Sequence, residues 1–217
     1  MKRFLLLLPL LPLGLALSGC QSAYYGAMEK AGYAKRDILV SRVEKAQEAQ
    51  AEAKEQFADA LQAFLAVTRV EGGELRKKYD ELNTELKQSE ARAKAVHERI
   101  AAIDAVATAL FEEWGNELAL YSNPELRRQS QEQLGATRIR YTDLMATMRR
   151  AAAGMEPVLV TFRDQVLFLK HNLNAQSLRA LDATSRSLQG DISQLIAEME
   201  KSMREADNFI RQLKIAP

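Results

Sequence analysis

LRKKYDELNTELKQSEARAKAVHERIAAIDAVATALFEEWGNELALY, residues 75–121, is the stretch that decides the fold. Its side chains follow a series at alternating steps of four and three, in which only Ser89 and Glu117 are not apolar: Leu75, Tyr79, Leu82, Leu86, Ser89, Ala93, Val96, Ile100, Ile103, Ala107, Leu110, Trp114, Glu117 and Tyr121. The stretch contains no proline, and its only glycine is Gly115. A heptad repeat of this length predicts one α-helix of roughly 70 Å whose apolar seam packs against partner helices.

Three further seams flank this helix. The first contains Leu39, Val43, Ala46, Gln50, Ala53, Phe57, Ala60, Phe64 and Val67. The third contains Leu126, Leu134, Tyr141, Leu144, Met148, Ala151, Met155, Val158, Phe162, Val166 and Leu169. The last contains Leu178, Leu181, Ser185, Leu188, Ile192, Leu195, Met199, Ser202, Ala206, Phe209 and Leu213. We therefore predict helices over about 35–70, 74–121, 124–171 and 175–213.

Short breaks separate the predicted helices. Gly72 and Gly73 form a turn, and Ser122 or Asn123 can cap the helix that begins at Pro124. Short turns place consecutive helices antiparallel, so residues 35–213 are predicted to be an all-α, elongated, four-helix up-and-down bundle resembling a coiled coil. Pro157 is expected to kink the third helix, with a complete break as the alternative.

The amino terminus has the layout of a secretory signal. Lys2 and Arg3 precede an apolar run over residues 4–17 that is too short to span a bilayer comfortably. It ends in Leu-Ser-Gly-Cys at residues 17–20, which resembles the lipobox of bacterial lipoproteins. This resemblance implies a signal peptide over residues 1–19, lipidation of Cys20 by acyl chains such as palmitate, and a linker over 20–34. An ordinary signal peptide with a spare cysteine is the alternative.

The resemblance also implies a location in the cell envelope. Gln21 follows the cysteine, where an aspartate is associated with retention in the inner membrane of Gram-negative cells. We therefore expect the chain to be anchored in the outer membrane and to face the periplasm. Cys20 is the only cysteine, which excludes an intramolecular disulfide and a cysteine metal cluster.

Composition and motifs argue against several functions. The chain has 30 basic and 29 acidic residues, so its total charge does not favour nucleic acid. It contains no HExxH, GxSxG or CxxC motif and no glycine-rich nucleotide loop, so we predict no catalytic residues, no metal and no cofactor. His97 and His171 are interpreted as solvent-facing or capping residues. Glu112 and Glu113 beside Trp114 cannot face each other as a catalytic pair, because adjacent helix positions point about 100° apart.

One charged pattern has two interpretations. Arg127, Arg138 and Arg149 recur every eleven residues, which aligns them on one face of the third helix. We call these three residues the arginine strip. It would either bind lipid headgroups, anionic glycans or an acidic partner, or pair with the acidic second helix, the favoured interpretation. The acidic residues are Asp104, Glu112, Glu113 and Glu117, and the basic ones also include Arg128, Arg140 and Arg150.

Four segments carry a resemblance to a known family. They are YAKRDILVSRV at residues 33–43, the glycine pair at 72–73, YSNPELRRQS at 121–130 and MEPVLVTFRDQVLFLKHNLNA at 155–175. The chain resembles the bacterial lipoproteins and secreted proteins grouped as domain of unknown function 2959. The resemblance implies a helical protein of the Gram-negative envelope and assigns no activity and no functional residues.

These patterns lead to a ranked expectation of function. We expect a non-enzymatic, lipid-anchored rod that acts as a spacer, scaffold or adaptor for an envelope protein. The alternative is a binding module for lipid headgroups or an anionic envelope polymer, using the arginine strip or a groove opened at Pro157; an enzyme is the least favoured. A homo-oligomer is also expected as an option, because Ala-rich seams suit either one chain or a dimer.

Overall fold

The computed structural model describes residues 34–70 and 74–215. These residues form α1 (Lys35–Thr68), α2 (Leu75–Glu117), a short 3-10 turn (Leu118–Leu120), α3 (Pro124–Ala153), α4 (Met155–His171) and α5 (Ala175–Ile215). The predicted signal peptide, Cys20, the linker up to residue 33 and the Gly72–Gly73 turn lie outside the described residues.

The helices form four antiparallel legs, of which α3 and α4 together make the third. The first leg, α1, lies beside α2 and α5, and the third leg also lies beside α2 and α5. Ion pairs between neighbouring legs show their direction, since Lys54 contacts Glu200 while Lys214 contacts Glu44. The predicted all-α, up-and-down four-helix bundle is therefore confirmed.

The seams form the core along most of the bundle. Every seam residue of α1 is buried, and so is every seam residue of α2 from Leu75 to Leu110. The Ala46, Ala53 and Ala60 side chains of α1 are almost completely inaccessible, so their small size lets the neighbouring legs approach closely. The core crosses between legs at Phe64 of α1 and Phe162 of α4, whose ring centroids lie 5.6 Å apart.

The seam prediction is wrong at the turn between α2 and α3. Regular helix ends at Glu117 and not at Tyr121, which has extended backbone and is exposed. Asn123 caps α3, because its Oδ1 accepts a hydrogen bond of 2.9 Å from the Glu125 amide and Pro124 takes the first helical position. Leu126, assigned to the third seam, is 49% exposed.

The physical reason is the absence of neighbouring helices in the described part of this end. Leu213, near the end of α5, lies at the level of Thr137 and Arg140 of α3. The start of α1 reaches only slightly further, to the level of Ser130. Among the described residues, the first turns of α3 therefore have only α2 and the first residues of α1 beside them, and residues 121–129 are all exposed.

The third leg is interrupted for one residue. Gly154 separates α3 from α4 and keeps right-handed helical backbone, with φ −67° and ψ −17°. Pro157 has no amide hydrogen to donate to the carbonyl of Ala153, which explains an interruption at this point. The leg nevertheless buries one continuous side, since Ala151, Met155 and Val158 are all in the core. The interruption therefore resembles the expected kink more than a complete break.

Candidate functional site

The arginine strip lies on the side of α3 that faces α2. Arg149 forms an ion pair with Asp104. Arg138 donates a hydrogen bond of 3.1 Å to the carbonyl of Phe111, and its guanidinium lies 5.6 Å from the centroid of that ring. Arg127 is exposed, and its guanidinium has no hydrogen-bond or ion-pair partner among the described residues. All three arginines are exposed, but two of them already contact the bundle, whereas the Arg127 guanidinium has no partner among the described residues.

The acidic residues of α2 were expected to pair with the basic residues of α3, and in the described part of the chain the structure shows this pairing at one position only. Among the described residues, Asp104 and Arg149 form the one ion pair between the two sets. Arg128 instead contacts Glu125 and Glu132 of its own helix, at 2.6 and 2.7 Å, and lowers the pKa of the Glu125 carboxyl. Partners three or four residues away on one helix are within easy reach of a long side chain, so they compete well with the neighbouring leg.

Asp104 also binds a tyrosine. The Tyr141 hydroxyl donates to Oδ1 of Asp104, whereas Arg149 contacts Oδ2. The Tyr141 ring packs edge-on against Phe111, with a centroid separation of 5.4 Å, and lies 6.4 Å from Phe209 of α5. Burial raises the pKa of Tyr141, and its hydrogen bond to Asp104 raises it further. At neutral pH the Tyr141 hydroxyl is therefore protonated, and its hydrogen bond to Asp104 links α3 to α2.

The heptad pattern places Tyr141 in the third seam but does not predict its hydrogen bond to Asp104. A signal was present, because a tyrosine at a core position needs a partner for its hydroxyl. The choice of Asp104 among the acidic residues of α2 depends on the relative register of the two legs, which the heptad pattern leaves open.

A groove of about 560 Å³ opens where α1 begins, α2 ends and α3 begins. The indole Nε1 of Trp114 donates a hydrogen bond of 2.8 Å to Ser130, and the Arg36 guanidinium lies 5.8 Å from the Trp114 ring centroid. Lys35 pairs with Glu113 at 2.8 Å, while Glu112 is exposed. The two glutamates thus point to different surroundings, as predicted, and the groove combines aromatic residues with charges of both signs.

A smaller groove of about 260 Å³ lies at the interruption of the third leg. Arg150, Pro157, Asp191 and Glu198 are among the residues that line it. The sequence predicted a groove at Pro157. Its charges have both signs, and it opens between the third leg and α5, whereas Arg138 and Arg149 of the strip contact α2, so the two features do not form one anionic-ligand site.

Other candidate chemistry is sparse. His97 and His171 are exposed. The described part of the chain contains no group of three or more His, Cys, Asp or Glu side chains placed to hold a metal ion. None of its helices combines the length and the apolar character needed to cross a membrane. Cys20, the predicted lipidation site, lies outside the described residues.

The sequence is similar to one family of proteins. Residues 24–213 match the model of a family described as protein of unknown function (DUF2959). No match was found among curated proteins or among solved structures. The match covers nearly the whole bundle and includes all four segments on which the resemblance was based. This long helical bundle therefore belongs to the DUF2959 family.

Proposed function

We propose that the protein is a non-enzymatic rod, anchored by lipid at Cys20 to the periplasmic face of the outer membrane, that acts as a spacer or scaffold for an envelope protein. The observation that carries the proposal is the closure of four long seams on one another within a single chain. The 43 residues of α2 give a helix of about 65 Å. Such a bundle holds a fixed distance between whatever is attached at its two ends.

The position of the first described residue supports an anchor at the end of the rod that carries the α2–α3 turn. The first described residue, Ala34, lines the groove beside Trp114, at the end that also carries the α2–α3 turn. Cys20 precedes Ala34 by 14 residues, a segment that can span at most about 50 Å. An acyl chain on Cys20 would therefore keep this end of the rod close to the membrane surface.

The opposite end supports the scaffold part of the proposal. Val160, Leu167 and Phe168 of α4 are 44%, 58% and 41% exposed. Spacings of seven and eight residues put them on one side of the helix. Large apolar side chains grouped on a surface are typical of places where a protein partner is bound.

Fractionation tests the anchor. We expect Cys20→Ala to move the protein out of the outer-membrane fraction, and intact mass measurement of the wild-type amino-terminal peptide should show the added acyl chains. Ser18→Ala, which keeps the cysteine and a small residue before it, is the matched control and should stay in the membrane. A wild-type location that survives Cys20→Ala would contradict the anchor.

Crosslinking tests the scaffold. Affinity purification from crosslinked envelopes should recover one recurrent protein, and Leu167→Glu with Phe168→Glu should reduce its recovery at least tenfold. Ile139→Glu removes an exposed apolar side chain from α3 and should leave recovery unchanged. Light scattering on the purified protein tests a homo-oligomer at the same time. A failure to recover any protein reproducibly would contradict the scaffold role.

The arginine strip supports a second proposal only through Arg127. Arg138 and Arg149 contact Phe111 and Asp104, so their replacement also removes contacts within the bundle. If the strip binds anionic headgroups or an anionic polymer, Arg127→Gln should weaken retention on anionic vesicles without loss of helicity. Arg128→Gln, whose partners belong to the same helix, is the matched control.

A further inference from the structure

The α2–α3 turn exposes three large apolar side chains at one end of the rod. Leu120 is 81% exposed, Tyr121 41% and Leu126 49%. We call these three residues the tip patch. They are three of the seven large hydrophobic side chains that are exposed in the described part of the chain, yet they lie within seven residues of one another. Their grouping at a turn calls for an occupant that excludes water.

The charges around the tip patch are balanced. Glu117 and Glu125 oppose Arg127 and Arg128 between residues 117 and 128. Glu125 is bound by Arg128, which leaves the exposed guanidinium of Arg127, next to Leu126, without a partner among the described residues. A leucine and tyrosine surface with an adjacent arginine suits the boundary of a bilayer, where apolar groups enter the acyl region and arginine reaches phosphate.

The proposed lipid anchor would bring this surface to a membrane. Ala34, Tyr121 and Leu126 line the same groove, so the chain enters the bundle beside the tip patch. A tether of 14 residues from Cys20 to Ala34 holds the tip within about 50 Å of its anchor point. Tethering raises the effective concentration of bilayer around the tip, so a contact too weak to bind membranes by itself becomes populated.

We infer that the tip patch inserts into the interfacial region of the bilayer and, together with the acyl anchor, makes a second contact that sets the rod upright. This inference rests on the proposed lipid anchor. Two contacts near one end restrict tilting, whereas a single tether leaves the rod free to lie along the surface. The exposed face of α4 is then presented away from the membrane.

A photoreactive residue tests the contact in intact envelopes. Leu120→p-benzoylphenylalanine places the probe in the tip patch, and Leu167→p-benzoylphenylalanine places it on a similarly exposed leucine. Arg163 of α4 contacts Glu90 of α2, so Leu167 lies near residue 86 of α2, about 50 Å from Leu120. After irradiation, mass spectrometry should find phospholipid adducts on the peptide with residue 120, at least fivefold more abundant than on the peptide with residue 167.

The same sample reports the anchor separately, through the mass of the amino-terminal peptide. Acylated Cys20 without adducts at residue 120 would overturn the tip contact and leave the anchor standing. Adducts at residue 120 without acylation would support the tip contact and reject the anchor. Crosslinks from residue 120 mainly to residues 21–33, to a second copy or to another protein would identify a different occupant and would also overturn the inference.

Discussion

The middle of the bundle and its α2–α3 end follow the same sequence pattern but differ in structure. In the middle, Phe57, Phe64 and Phe162 are almost completely inaccessible, because four legs enclose them. At the α2–α3 end, Leu126 and Tyr121 occupy equivalent seam positions and are exposed. The heptad repeat therefore specifies which side of a helix is apolar, while the number of neighbouring legs decides whether that side is buried.

This difference separates two roles for apolar residues. In the closed middle they contribute to the free energy of unfolding by leaving water. At the open end they contribute little to folding and remain available to bind something else. Substitutions of apolar residues in the closed middle should therefore lower the free energy of unfolding, whereas those at the open end should affect surface binding.

The largest expected effect compares the two regions directly. Phe162→Ala should lower the free energy of unfolding by about 3 to 5 kcal/mol, because it removes the contact with Phe64 and leaves a cavity. Leu126→Ala, the matched change at the open end, should alter it by less than about 0.5 kcal/mol. Urea denaturation followed by circular dichroism measures both. Equal losses would contradict the division of the rod into closed and open regions.

The second prediction concerns the boundary between the two regions, where Asp104 holds Tyr141 and Arg149. Asp104→Ala should lower the free energy of unfolding by about 1 to 3 kcal/mol, because it leaves a partly buried hydroxyl without its acceptor. Arg149→Gln, which removes only the exposed ion pair, should cost less than about 1 kcal/mol. A larger loss for Arg149→Gln than for Asp104→Ala would show that the ion pair, and not Tyr141, holds this boundary.

Most of the fold was predictable because it depends on local periodicity. The seams, the Asn123 cap with Pro124 and the interruption near Pro157 are properties of neighbouring residues, and the structure places them close to where the pattern put them. The ends were not predictable, because the burial of Leu126 depends on where α1 begins and where α5 ends. The pairing of charges was predictable only in part, since Arg149 contacts Asp104 of α2 whereas Arg128 uses partners on its own helix.

The candidate site was less predictable than the fold. Spacing alone aligned Arg127, Arg138 and Arg149, but the carbonyl and ring of Phe111 that bind Arg138 depend on the packing of α2 against α3. The tip patch could not be found either, because Leu126 and Tyr121 were assigned to seams. Exposure at a helix end is a tertiary property, and a single sequence contains only its apolar pattern.

The third prediction concerns a polar layer inside the closed region. Gln50 is fully buried, and its Oε1 accepts a hydrogen bond of 3.0 Å from Ser202, but its Nε2 has no partner among the described residues. Gln50→Met should raise the free energy of unfolding by about 1 kcal/mol, because a thioether of similar volume removes an unsatisfied amide. Ser202 can then bond a carbonyl of its own helix.

A matched control separates polarity from packing at this layer. Ser202→Ala removes the one hydrogen bond that Gln50 accepts, and it should lower the free energy of unfolding by about 1 kcal/mol. Light scattering on Gln50→Met should accompany denaturation, because buried polar residues in coiled coils can fix register and oligomeric state. If Gln50→Met is more stable and also changes the oligomeric state, the role of Gln50 is to specify that state. A lower free energy of unfolding for Gln50→Met would contradict the prediction.

The smallest expected effect is a pH dependence at Tyr141. Burial and the hydrogen bond to Asp104 raise its pKa above the ordinary tyrosine value, so the folded state favours the protonated phenol. The stability that this contributes is complete below the ordinary pKa of about 10 and is lost as pH rises through the folded pKa. At pH 8, Tyr141→Phe should be less stable than the wild type by about 1 kcal/mol, the usual contribution of one hydrogen bond.

The difference between the two proteins should shrink steadily above pH 10, because ionisation of Tyr141 in the unfolded chain destabilises only the wild type. Lysines and the remaining tyrosines titrate in both proteins, so their contributions cancel in the comparison. Urea denaturation from pH 8 to 11 measures the two curves. Tyr141→Phe keeps the ring and its packing against Phe111 and Phe209, so equal stability of the two proteins would mean that packing alone holds Tyr141 at the boundary between the closed and open regions. A difference that stays constant up to pH 11 would mean that the folded state does not favour the protonated phenol, and would contradict the prediction.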